Sequence, residues 1–167
     1  MTELNLKSLI PRLGPMLKQC LEGAAASAMS QGHYTVELEH WLEKILDHGD
    51  SELAQLLSAS NIDASQMSRE LSNSVRRFKT GNSRPPALAP SLIDVFKNAW
   101  LVASVEHQLN HALSSHVIIA ALADDIIRRQ LYESAPALRT LTASLSASRT
   151  WTMCRPRLNL CRHRQAS

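Results

Sequence analysis

The sequence predicts an all-α fold, built as two pseudo-symmetric helical repeats preceded by a short N-terminal helix. Three observations predict it. Apolar residues make up 44% of the chain but aromatic residues only 4%, and Leu, Ala and Ser are the commonest residues, which favours helices over sheets of β-branched and aromatic residues. The chain also repeats itself. Leu13-Gly-Pro-Met-Leu17-Lys-Gln-Cys-Leu21-Glu-Gly-Ala24 is answered by Leu88-Ala-Pro-Ser-Leu92-Ile-Asp-Val-Phe96-Lys-Asn-Ala99, and His40-Trp-Leu42-Glu-Lys-Ile45-Leu46 by His116-Val-Ile118-Ile-Ala-Ala121-Leu122. A fixed-period repeat marks a duplicated supersecondary unit, each copy too small to bury a face alone. Finally, nothing in residues 1–138 reads as strand.

Taken in order, Leu4, Leu6, Leu9, Ile10 and Leu13 fall at mostly helical spacing, but Pro11 and Gly14-Pro15 interrupt the run. This predicts a short helix, a kink and a longer helix from Pro15 to Ser30, with Pro15 in its first turn and Gly32 at its C-terminal cap. Thr35 is the expected N-cap of a helix through Leu38, Trp41, Leu42, Ile45 and Leu46, ended by Gly49. Asp50 is expected to cap a short helix holding Leu53, Leu56 and Leu57, and Asp63 with Gln66 suggests a capping box for a helix towards Phe78. Lys79 to Pro90 is the clearest loop and separates the repeats. Leu92, Val95, Phe96, Ala99, Trp100, Val102 and Ala103 then describe a strongly apolar helix reaching about Leu109. Ser114 or Ser115 is the expected cap for Val117 to Ala123, and Asp124 starts a last helix through Ile127 and Leu131.

The division expected from this pattern is a domain over residues 1–138, with repeats at about 13–78 and 88–135, and a tail over 139–167. Ser and Thr crowd residues 140–152, Arg crowds 155–164, and apolar periodicity fades, so the tail is expected to be poorly ordered or foreign to the domain. The net charge of +3 belongs to this tail: six arginines and no acid follow residue 138, which leaves 12 Lys+Arg against 15 Asp+Glu before it. No run of about 18 apolar residues occurs, and the N-terminus does not read as a secretory signal. These features and the odd count of three cysteines (Cys20, Cys154 and Cys161) point to a cytoplasmic protein with reduced thiols and no membrane partner.

Catalytic and ligand motifs are scarce. No Gly-x-x-x-x-Gly-Lys-[Ser/Thr] loop occurs and only five glycines are present, so the chain cannot cradle ATP and no enzyme activity or cofactor is expected of it. His107 and His111 could share a helix face, but a third ligand at metal-site spacing is missing. Cys154, Cys161 and His163 match no zinc pattern. His40 and His116, at equivalent places beside helix starts, suggest a repeated capping or packing role. The tail arginines could contact phosphates, but they lack interleaved aromatics, and nucleic acid is an unfavoured partner for an acidic domain.

Four segments carry a resemblance to a known family: Leu17 to Ala28; His33-Tyr-Thr-Val-Glu-Leu-Glu-His40-Trp-Leu; Thr80-Gly-Asn-Ser-Arg-Pro-Pro-Ala-Leu-Ala-Pro-Ser-Leu92; and Ala99-Trp-Leu-Val-Ala-Ser104. Over residues 4–135 the chain resembles the double Clp N-terminal repeat, and within it the type found in ClpV, the AAA+ unfoldase of type VI secretion. The Glu-His-Trp-Leu string, the Thr-Gly-Asn-x-Arg loop and Ala-Trp-Leu-x-Ala-Ser carry the choice of type. The resemblance implies a substrate-recognition domain that sits on a hexameric ATPase and captures an N-terminal helix of the large sheath subunit, so that the contracted sheath is disassembled and recycled. ATP and magnesium would belong to the AAA+ modules, which lie outside this sequence. Because the resemblance stops near residue 135, the tail reads as a truncated or out-of-frame end, or else as the arginine-rich tail of a stand-alone domain.

Helix-in-groove docking needs apolar anchors meeting an open apolar cleft. The resemblance implies a peptide-binding groove near the N-terminal helix and the Pro-Pro-Ala-Leu-Ala-Pro loop, with Leu6, Leu9, Ile10, Leu13 and Leu17 on one wall and Leu88, Leu92 and Phe96 on the other. Leu88 stands out as a large apolar residue in a Pro-flanked loop. Leu17, Leu92 and Phe96 fit plain core packing equally well, since apolar residues at helical spacing are normally core. The alternatives to sheath capture are a general ClpB-like domain that binds adaptors or misfolded proteins, and nucleic-acid binding through the tail.

Overall fold

In a computed structural model of the chain, residues 6–147 are described, with side chains to residue 145. They form α1 (Leu6–Leu9), a 3-10 turn (Ile10–Arg12), α2 (Pro15–Ser30), β1 (Thr35–Val36), α3 (Leu38–Leu46), α4 (Glu52–Ala59) and α5 (Ala64–Val75). After the loop come β2 (Ala87–Leu88), α6 (Pro90–Leu101) extended by a π-helical turn (Val102–Glu106), α7 (Ser114–Ala123), α8 (Asp125–Ser134) and α9 (Ala137–Ala147). The fold is all-α with two helical repeats, as expected, and the repeats correspond helix for helix: α2–α5 and α6–α9. Buried Leu17, Cys20, Leu21, Ala24 and Ala28 of α2 match buried Leu92, Val95, Phe96 and Ala99 of α6 and Ala103 of the π-helical turn that extends it.

Several local expectations are corrected. The helical structure passes through residue 138, because Leu138, Leu141 and Leu145 give α9 an apolar face; the first two are buried and the third packs on the core. Only residues 148–167 of the expected tail lie outside the described part. Thr35 is not a cap but part of β1, and α3 starts after Glu37. Ser51 rather than Asp50 caps α4, its hydroxyl accepting from Ala54 N–H at 3.1 Å. Asp63 does cap α5, accepting from Ser65 N–H at 2.9 Å, but Gln66 turns to Glu70 and completes no capping box. Asp124 caps α8 through the N–H groups of Ile126 and Ile127. Gly32, at φ +71°, ends α2 in the left-handed conformation that favours glycine, with His33 N–H reaching back to Ala28 O.

Residues 1–138 do hold two short strands, against expectation, and exchanged backbone pairs join the two repeats. β1 and β2 run parallel, with Val36 opposite Leu88. Leu13 pairs in the same way with Ala112. The residue before α6 thus pairs with the lead-in to α3, and the residue before α2 with the lead-in to α7. Neither repeat satisfies these backbone groups by itself, which ties the formation of one to the other.

Side chains reinforce the seam. Trp41 of α3 is fully buried; its Nε1–H donates to Leu17 O at 3.1 Å, and its ring meets Phe96 of α6 edge-on at 4.7 Å. One aromatic side chain therefore fastens α2, α3 and α6 in an edge-to-face geometry that adds to its apolar burial. Ser114 of α7 accepts from Leu53 N–H at 3.0 Å and donates to Glu52 at 2.7 Å. A second-repeat serine thereby satisfies an orphan donor in the first turn of α4. The Thr80–Arg84 loop is pinned by Asn82, whose Nδ2 donates to His33 O and Arg84 O.

A candidate docking face on α1 and α6

Each of the proposed groove residues has a definite place, and five of them are not on a groove. Leu9, Leu13, Leu17, Leu92 and Phe96 are each 3% exposed or less and belong to the continuous core. The reason is the helical period: α6 aims Leu92, Val95, Phe96, Ala99 and Ala103 inward together, and Leu17 lies on the matching face of α2. Leu13 is further fixed by its pairing with Ala112. A ligand could reach these side chains only if core packing opened. Leu6, Ile10 and Leu88 are half-buried and do reach the surface.

The structure adds two residues that sequence reasoning missed. Ile93 and Trp100 are both half-exposed, and they stand two turns apart on one side of α6, off the core stripe. The signal was present: once Leu92, Val95, Phe96 and Ala99 fill the core face, an Ile and a Trp remain on a second stripe of the same helix. α1 packs against α6, and the 3-10 turn after it brings the Arg12 guanidinium 5.0 Å from the Trp100 ring centre, a cation–π contact. The eleven residues from Pro90 to Trp100 span about 15 Å of helix, with Leu88 at one end and Arg12 at the other. The resulting face consists of Leu6 and Ile10, Ile93 and Trp100, and Leu88.

No catalytic or metal chemistry converges there. Among the described residues no group of three or more His, Cys, Asp or Glu side chains is placed to hold a metal ion. His107 is directed at His116, Nδ1 to Nε2 at 2.9 Å. Cys20 is buried, its thiol donates to Met16 Sδ at 3.5 Å, and burial pushes its pKa up to about 11, so it is held as an unreactive thiol. Glu39 is buried at the first turn of α3; Oε1 accepts from Ser134 and Gln130, Oε2 has no partner, and desolvation raises its pKa. No described helix is long and apolar enough to cross a membrane.

The model of the Clp repeat (R) N-terminal domain matches residues 12–135, most of the chain. The chain belongs to this Clp N-terminal domain family. It is similar to the AAA+ ATPase ClpV1 of Pseudomonas aeruginosa, with 24% identity over 131 residues, covering 78% of this chain and 14% of the relative. The chaperone protein ClpB of Yersinia enterocolitica is 25% identical over 135 residues, covering 81% of this chain and 15% of the relative. The chain thus spans about one seventh of the length of these relatives. Among solved structures, a chain from the structure described by its peptide from the SciI protein of the EAEC Sci1 type VI secretion system is 28% identical. It superposes with a TM-score of 0.78 over 91% of this chain and 92% of its own length. The complex of a ClpV N-domain with a VipB peptide superposes with a TM-score of 0.69 at 23% identity, over 85% and 94%. Within the Clp N-terminal family, the ClpV N-domains therefore share both the fold and, at 28% identity, recognisable sequence.

Proposed function

We propose that this Clp N-terminal domain is a protein-recognition module of the ClpV kind, which captures a short amphipathic helix of a type VI secretion sheath subunit for disassembly by an AAA+ motor. The observation that carries the reading is the second apolar stripe of α6. Ile93 and Trp100 stay half-exposed beside α1, whose Leu6 and Ile10 also reach the surface. A helix with apolar residues at i, i+3, i+4 and i+7 would lay them against such a face. The neighbouring ClpV N-domain complexed with a VipB peptide supports the same class of partner. ATP hydrolysis, magnesium and hexamer formation would lie in AAA+ modules of the ClpV1-like relatives, beyond the region they share with this chain.

Fluorescence anisotropy of a labelled VipB peptide titrated with the full chain tests the proposal. Saturable binding that Ile93→Glu weakens at least tenfold, with the circular dichroism spectrum unchanged, is the expected result. Equal binding by the variant removes the α6 stripe from the site. Absence of peptide binding by a folded chain, together with retention of unfolded model proteins, would favour the second reading, a ClpB-like domain for misfolded proteins or adaptors, for which the similarity to ClpB speaks.

A further inference from the structure

The second repeat carries a half-open apolar groove. It has a volume of about 430 Å³ and is lined chiefly by Val102 and Glu106 of the π-helical turn, Ile119 and Leu122 of α7, and Thr142 and Leu145 of α9. Leu101 and Val105 stand next to Val102 and Glu106 in sequence and are 55% and 72% exposed. A single exposed apolar side chain requires no explanation, but an open apolar cavity whose lining residues have exposed apolar neighbours in the chain marks a surface that something covers.

Comparison of the repeats shows that the groove is a matter of side chains and not of backbone. Ser27 is the counterpart of Val102, and its hydroxyl accepts from Gln31, the counterpart of Glu106, at 2.9 Å. Glu43 is the counterpart of Ile119, and it accepts from Ser72 of α5 at 2.6 Å. In the first repeat this place is polar and bonded within itself. In the second it is lined mainly by apolar side chains.

The occupant is indicated by where the chain goes next. Leu145, in the last turns of α9, is a wall of the groove, and residues 148–167 follow directly. They contain Trp151, Met153, Leu158 and Leu160, five arginines and no acid, and the rim of the groove carries the Glu106 carboxylate. A segment of this length can extend some 60 Å, roughly, so it is long enough to return to a groove at its own root. Tethering gives it an effective concentration on the order of millimolar. We propose that this groove is an intramolecular docking site for the apolar side chains of residues 148–167, with the tail arginines facing Glu106.

The test uses the full chain and a variant carrying Trp151→Ser, Met153→Ser, Leu158→Ser and Leu160→Ser, all four outside the described residues. In methyl-labelled NMR spectra the signals of Ile119, Leu122 and Leu145 should move in the variant, while the Trp41 indole N–H signal stays in place as a check on the fold. Binding of the apolar dye ANS should rise several-fold, and Glu106→Lys, on an exposed side chain, should shift the same methyl signals. Unmoved methyl signals and equal dye binding by both chains would overturn the proposal. So would self-association of the full chain that Val105→Glu abolishes, because a second copy would then cover the face.

Discussion

His40 and His116 make the same pair of hydrogen bonds in the two repeats. Each accepts at Nδ1 the backbone N–H that opens its helix, Glu37 N–H at 3.0 Å and Leu113 N–H at 2.9 Å. Each meets a second histidine at Nε2, His33 and His107 respectively, both at 2.9 Å. An Nδ1 that accepts leaves the proton of a neutral ring on Nε2, which then donates to the partner histidine. The partner's accepting Nδ1 places its own proton on Nε2. Neutral His40 and His116 thus take, at the third position of α3 and α7, the place that Glu or Gln holds in a capping box, and a proton added to either relay sets two donors face to face.

Acid should therefore loosen the fold in a defined window. Burial first, and then the neighbouring histidine, lowers the pKa of His40 and of His116 to about 4. Both folded values lie below the unfolded value near 6.5, so the unfolded chain binds more protons between those limits and stability falls as pH drops from about 6.5 to about 4. The slope is at most about 1.4 kcal/mol per pH unit for each histidine. Urea melts across this range should show it. His116→Asn, which keeps an acceptor for Leu113 N–H but cannot titrate, should flatten the slope by about one proton; an unchanged slope would remove His116 from the account.

Ser114→Ala should cost about 1–2 kcal/mol, more than an ordinary surface serine. The substitution leaves Leu53 N–H without its acceptor in a buried place and removes a donor to Glu52. Because the lost bonds cross from α7 to α4, hydrogen exchange should speed up at the start of α4, in the other repeat. Exchange confined to α7 would contradict the link.

Glu39→Gln should stabilise the domain at neutral pH. The carboxyl is fully buried, its Oε2 has no partner, and desolvation raises its pKa. A raised carboxyl contributes stability that is complete below the unfolded value and lost as pH climbs through the folded one. An amide of the same shape still accepts from Ser134 and carries no charge, so the gain over the parent should be visible at pH 7 and shrink towards pH 4. Thermal melts at both values check it. A loss of stability at pH 7 would show that the charge is needed, as a carboxylate at the N-terminus of α3 could be.

How much of this was legible in the sequence depends on the range of the signal. The apolar period of α2 and α6 and the duplicated His40 and His116 give the repeat directly, since helix faces and local caps are written within a few residues. β1 and β2 are two residues each, too short for any alternation to register, and their pairing joins residues far apart in sequence. α9 was hidden because the Ser and Thr around Leu138, Leu141 and Leu145 dilute its stripe. The candidate face was half-legible for the same reason. Leu6, Ile10 and Leu88 entered through the family resemblance, which implies a groove near the N-terminal helix and the Pro-flanked loop, whereas Ile93 and Trp100 needed the core face of α6 to be assigned before they stood out as surplus.

Leu88→Arg and Leu92→Arg should separate surface from core. Leu88 is half-buried, and its backbone pairing with Val36 does not use the side chain, so an arginine can lay its stem along the apolar surface with its head in water. A loss of about 1 kcal/mol would lower the melting temperature by roughly 2–8 °C, while peptide affinity should fall at least tenfold if Leu88 lies at the end of the docking face. Leu92, one turn further on α6, is fully buried, and a charge there has no path to solvent, so that variant should not fold. Differential scanning calorimetry of both variants, followed by peptide titration of Leu88→Arg, makes the comparison. If Leu88→Arg also fails to fold, Leu88 belongs to the core and the docking face ends at Ile93.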